Sequence, residues 1–255
     1  SAAGGNRPTA TLQITPESDI MWTDPDNPEG SVAELAPLMS APKKGPWEES
    51  ETIAKTRASR EGKSLLIWFT DSKNSPGCKR ISSELFADHA FNEWANEKLV
   101  RLKIDTVVRP TDPNLSIGDS LDKEVRMKAY VADLKQRYKV LGHPTFLILS
   151  SGGDVVGTYK GYRAGQADYT WGLFRQGESI AARSNAEWRA GLLKKGYREW
   201  QDRKGNKVLA KLTNYNKGQL YLVEPDGKRS RTSETRLSDS DQAWIKQQKA
   251  ARGIE

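Results

Sequence analysis

The chain has 255 residues, 36% of them apolar and 29% charged, with 40 Lys and Arg against 33 Asp and Glu. This length suits two small domains, and an apolar share below the roughly 45–50% usual for globular domains predicts that part of the chain is extended. No run of about 18 uncharged apolar residues is present, so no membrane-spanning helix is expected, and the single cysteine, Cys78, excludes an internal disulfide and a multi-cysteine zinc cage.

Residues 1–46 repeat Pro, Asp, Asn and Gly, as in Thr23-Asp24-Pro25-Asp26-Asn27-Pro28, and predict an extended N-terminal arm. The opening Ser1-Ala2-Ala3-Gly4-Gly5 lacks Met and reads as the product of removing a signal peptide or a tag; an exported protein, periplasmic or secreted, is the expectation. The texture changes at Trp47. A helix is predicted over 47–60 and a short buried strand over 64–69, ending in a polar loop. A helix over 76–87, a strand over 99–105, a Pro- and Asp-rich excursion and a helix over 121–138 follow. Strands over 145–149 and 155–159, joined by a Ser-Ser-Gly-Gly-Asp turn, and a helix over 166–176 complete a first domain, 47–182, which from its first strand onward has the order β-α-β-α-β-β-α.

A polar linker, 183–193, leads to a second texture. Strands over 197–201, 207–214 and 219–224 are separated by Gly- and Asn-rich turns, and Ser238-Asp239-Ser240-Asp241 reads as a cap before a helix over 242–250. This predicts a small sheet or barrel closed by one helix, over 194–255. The basic excess lies here: from Arg189 onward there are 16 Lys and Arg against 8 Asp and Glu, while the rest carries 24 against 25. Such a field favours an acidic partner or plain solubility.

The segment from Phe69 to Arg80, with Ser75-Pro76-Gly77-Cys78 between a buried strand and a helix, resembles the redox loop of thioredoxin-like proteins. Gly142-His143-Pro144-Thr145-Phe146 resembles the cis-proline loop that faces that motif in the family. The resemblance implies a thioredoxin fold over 47–182. In an active thioredoxin the first cysteine caps the helix, where free N–H groups stabilise its thiolate, and the second resolves the mixed disulfide. Here Ser75 stands first, so a dithiol cycle within this chain is impossible, and Trp68 stands near where the family often has a buried Asp.

Ser75 with Pro76 also forms a preferred helix start; the alternative is a serine activated by His143, for which no orienting acid is evident. Cys78 reads as a relic packed like a small hydrophobe, or as a monothiol that forms one mixed disulfide. A metal held by Cys78, His143 and His89 has no supporting ligand spacing, and neither metal nor cofactor is expected. His143, Pro144 and Thr145 are candidates to line a groove that binds an extended peptide by strand addition, or simply shape the turn.

Downstream, Arg198-Glu199-Trp200-Gln201-Asp202-Arg203-Lys204-Gly205, Leu220-Tyr221-Leu222 and Leu237-Ser238-Asp239-Ser240-Asp241-Gln242 resemble the SLA-one homology domain, an SH3-like barrel that binds a sorting peptide in an endocytic adaptor. Trp200, Leu222 and Trp244 are expected in its core. Lys228, Arg229 and Arg231 are its candidate basic interaction surface. The expected function is therefore protein or peptide binding by a redox-degenerate thioredoxin fold with an SH3-like second domain. Monothiol exchange through Cys78 is the enzyme-class alternative. Nucleic-acid binding ranks third, because the basic residues are scattered and no row of stacking aromatics accompanies them.

Overall fold

The structure, a computed structural model, describes residues 45–108 and 113–254. All but two residues of the expected N-terminal arm lie outside them. The described residues form two compact units, one ending at Glu187 and the other beginning at Trp188.

The first unit is built on β1 (Ser64–Thr70), in which every residue is buried. Beside it β2 (Leu99–Asp105) runs parallel, from Ser64↔Leu99 to Thr70↔Asp105. On its other side β3 (Thr145–Leu149) runs antiparallel and pairs outward with β4 (Val155–Lys160), giving the order β2-β1-β3-β4. A parallel pair needs a crossover; α2 (Pro76–Glu84) and α3 (His89–Lys98) supply it. Ahead of β1 comes α1 (Glu51–Glu61), while α4 (Ile117–Arg137) joins β2 to β3 and α5 (Ala167–Lys194) follows β4. Alternation along β1 sends Leu66 and Trp68 to a cluster with Ile81, Phe91 and Phe174, and Leu65, Ile67 and Phe69 to one with Ala54, Ala58 and Leu134. A sheet covered on both faces requires such unbroken apolar strands.

Four sequence expectations are corrected. The helix expected from residue 47 begins at Glu51, because the Ser50 hydroxyl accepts from the Ile53 N–H as its N-cap. The chain before it lies beside β2, where Glu48 donates to the Arg101 carbonyl (2.7 Å) and accepts from the Lys103 N–H (2.9 Å). The helix expected over 76–87 stops at Glu84, and α3, which was not expected, starts where Asp88 caps the Phe91 N–H. The helix expected from residue 121 begins at Ile117, capped by Ser116. Finally, the segment 183–193 read as a linker is helical: it holds Ala, Leu, Glu and Arg without proline, so α5 continues through it.

The second unit pairs β5 (Tyr197–Gln201), β6 (Lys207–Asn216), β7 (Gln219–Val223) and β8 (Arg229–Ser233) antiparallel in chain order. The strand β8 was not expected. A 3₁₀ turn (Glu234–Arg236) and α6 (Asp239–Ala251) follow. Trp200, fully buried, donates its Nε1–H to the Ala210 carbonyl (3.1 Å) and packs with Val208, Ala210, Leu212 and Leu222. A bulge between Leu212 and Asn214 shifts the register of β6, so that Tyr215 joins the same cluster and Asn214 does not. Asp241, buried at the start of α6, accepts from Arg198 (2.6 Å) and from the Gln201 N–H (2.7 Å), tying α6 to β5. The pairing is that of an open sheet with β5 and β8 at its edges. Beyond those strands a bridge joins Asp202 to Leu237.

Candidate functional site

At the end of β1 the chain makes a polar turn. The Asp71 carboxylate accepts the N–H groups of Asn74 (2.8 Å) and Lys73 (3.1 Å), and these bonds, Asn74 foremost, hold it below the usual carboxylate range. The turn delivers Ser75 to the N-cap of α2 with Pro76 at the first helical position. The Ser75 hydroxyl accepts from the Cys78 N–H (3.3 Å) and donates to the His143 carbonyl (3.3 Å), so one oxygen links the helix start to the loop before β3. Cys78 is 2% exposed and its Sγ accepts from the Asp71 N–H (3.4 Å).

That loop contains a cis peptide bond between His143 and Pro144. Gly77 allows α2 to approach it: a Cβ there would stand 3.1 Å from both Pro144 Cδ and the Tyr162 carbonyl oxygen. Thr145, buried at the head of β3, donates to the Gly142 carbonyl (2.7 Å), and the Pro144 carbonyl accepts from the Gly161 N–H (2.8 Å). His143 is half-buried. Burial first, then Lys135, push its pKa below the ordinary imidazole value, against the opposing pull of the Phe69 carbonyl, Asp71 and Asp105. The structure therefore brings Ser75, Gly77, His143 and Pro144 together. It does not pair the Ser75 hydroxyl with the His143 ring, whose buried Nδ1 has no hydrogen-bond partner among the described residues.

Residues 53–173 match the family described as the thioredoxin-like domain. This stretch is a thioredoxin-like domain. Among solved structures, DsbH oxidoreductase is 16% identical, with 70% of this chain and 96% of that chain covered and a TM-score of 0.42. A thioredoxin from Thermus thermophilus is 18% identical over 50% of this chain and 83% of that one, with a TM-score of 0.37. A thioredoxin-fold protein from Helicobacter pylori is 13% identical over 60% and 99%, with a TM-score of 0.34. No curated protein matches the chain.

In the thioredoxin-like domain Trp68 is buried in an aromatic cluster with Trp47 and Phe86, whose ring centroids lie 5.4 and 4.8 Å away. A brace that sequence reasoning missed closes the other end of α2. Glu84 accepts from the Tyr162 hydroxyl (2.5 Å) and the Gly165 N–H (3.0 Å), and these two bonds lower its pKa. His89 is exposed at the start of α3 beside Glu93 (3.6 Å). Among the described residues no three or more His, Cys, Asp or Glu side chains cluster to hold a metal, and no helix is long and apolar enough to cross a membrane.

In the second unit Arg229 and Arg231 lie on one side of β8, opposite the buried Ser230 and Thr232, and Lys228 sits in the turn ahead of them. Both arginines already hold interactions within the protein.

Proposed function

We propose that the thioredoxin-like domain binds an extended peptide along the His143-Pro144-Thr145 loop and performs no dithiol exchange, and that the second unit is an SH3-like module serving as a second recognition surface. The observation that carries the first half is the Ser75 hydroxyl. Where an active thioredoxin has its attacking thiol, this oxygen caps α2 and bonds the His143 carbonyl, while Cys78 is buried with its sulfur already accepting a hydrogen bond. A hydroxyl at that place forms no disulfide. What remains is a strand end beside exposed Leu141 and Gly142, suited to backbone pairing. The SH3-like reading is supported by the Asp202↔Leu237 bridge, the 3₁₀ turn and the closing helix α6.

Insulin reduction by the full chain with dithiothreitol tests this reading, with Ser75→Cys in parallel. The expected outcome is no catalysis by the natural chain and, in the variant, a reducible bridge between the introduced thiol and Cys78. Turnover by the natural chain at the rate of an ordinary thioredoxin, or rapid reaction of Cys78 with a mild thiol reagent in the folded protein, overturns the binding reading in favour of monothiol exchange.

A further inference from the structure

On the outer side of the start of β2 lies a cavity of about 520 Å³, lined by Gly45, Pro46, Arg57, Asn96, Val100 and Arg101 among others. Arg101 is 2% exposed. Its guanidinium donates to Asn92 Oδ1 (2.7 Å) and Asn96 Oδ1 (2.5 Å) and lies 5.6 Å from the centre of the Trp47 ring. Both hydrogen-bond partners are neutral amides. Among the described residues no carboxylate pairs with Arg101, and burial together with the like charge of Arg57 pushes its pKa down to about 10.

The surrounding charges make the contrast plain. Arg57 is bonded to Glu48 (2.6 Å) and Glu61 (3.1 Å), and Lys63 pairs with Glu61 (3.1 Å) while donating to the Asn96 carbonyl (2.8 Å). The nearby acids are thus engaged by Arg57 and Lys63, which leaves the buried charge of Arg101 without a counter-charge among the described residues. A buried cation without a counter-charge is among the costlier arrangements a fold can hold.

We propose that this cavity binds a small molecule through an oxyanion group, phosphate or carboxylate, with Arg101 as the principal ligand and Arg57 beside it. A guanidinium has five N–H donors in a rigid fork, and the two asparagine bonds use only two of them. The asparagines and the Trp47 ring fix the plane of the fork before any ligand arrives, which lowers the entropic cost of binding. The cavity is larger than a bare ion needs and falls in the range of small-molecule sites. This inference is independent of the Pro144 reading, since none of the cavity residues belongs to that loop.

The test uses the full chain, titrated calorimetrically with sodium phosphate and separately with sodium malonate, with thermal unfolding measured in each against sodium chloride at equal ionic strength. Saturable binding and a raised Tm with at least one of the two anions is the expected result; phosphate alone assigns a phosphate group, and malonate alone a carboxylate. Arg101→Lys keeps the charge and loses the fork, and is expected to weaken binding about tenfold. If that variant does not fold, Arg57→Gln provides the second comparison and is also expected to weaken binding. The proposal is overturned if neither anion, into the millimolar range, gives heat or stabilisation beyond chloride. It is also overturned if a folded variant binds as tightly as the natural chain, which would leave Arg101 as a strut between α3 and β2.

Discussion

The two sheets exclude polar groups in different ways. In the first, β1 and β3 are buried at every residue, and both of their faces meet apolar clusters. Polar chemistry is therefore confined to strand ends, where Asp71 and His143 sit, and to the outer strand β2, where Arg101 sits. In the second sheet one face meets the Trp200 cluster, but buried Lys211 and Asn214 lie within β6, and Ser230 and Thr232 within β8. A sheet sealed on both faces concentrates its chemistry at its ends; one with a mixed interior spreads polar groups along its strands, where they act on stability and packing.

Truncating the anchor of each core breaks this comparison most severely. Phe146→Ala and Trp200→Ala each remove a fully buried aromatic side chain and are expected to cost about 3–5 kcal/mol. Thermal unfolding followed by calorimetry should show Trp200→Ala lowering one transition and Phe146→Ala the other. Equal movement of a single transition in both variants would show that the two sheets unfold as one cooperative body.

A smaller effect is expected from where the second unit begins. Trp188 and Leu192 pack with Tyr197 and Leu209, on the side of the sheet away from Trp200. A fragment covering 188–255 should therefore be more stable to urea than one covering 194–255, by about 2 kcal/mol for the lost apolar contacts. Equal midpoints would make that contact dispensable.

The smallest expected effect, a dependence on pH, sharpens the claim that chemistry in the first sheet gathers at its ends. Burial, followed by Lys135, depresses the folded pKa of His143 below 6.5, so its contribution to stability is complete above about pH 6.5 and is lost as pH falls towards the folded value. Glu84 is depressed below 4.5 by its bonds from Tyr162 and Gly165, so its contribution is present above about pH 4.5 and is lost on further acidification. Tm measured across both windows should fall in two stages. His143→Gln should flatten the upper stage and Glu84→Gln the lower; unchanged profiles in both variants would refute the assignment.

What could be read from the sequence followed how local its cause was. The strands β1 and β3 are short apolar runs, β2 alternates apolar and charged residues, and the Ser75 cap is a two-residue pattern with Pro76, so all four were visible. The strand β8 was missed because its inward residues are the hydroxyls of Ser230 and Thr232, which carry no apolar alternation. In α3 only Phe91 and Ala95 are fully buried, too few for periodicity to stand out. Arg101 looked like one polar residue in a strand. Its burial depends on Asn92 and Asn96 from α3 and on Trp47 from the segment before α1, and no window along the chain holds all of these.

The boundary between the two units, Glu187 to Trp188, falls inside α5 and not in a loop. Proteases need locally unwound backbone, which loops offer freely and helices offer only when they fray. Access to that peptide bond is therefore governed by the helix–coil equilibrium of α5 itself. Among the described residues the chain passes from one unit to the other through helix and not through a cleavable loop, and loosening α5 would create such a site.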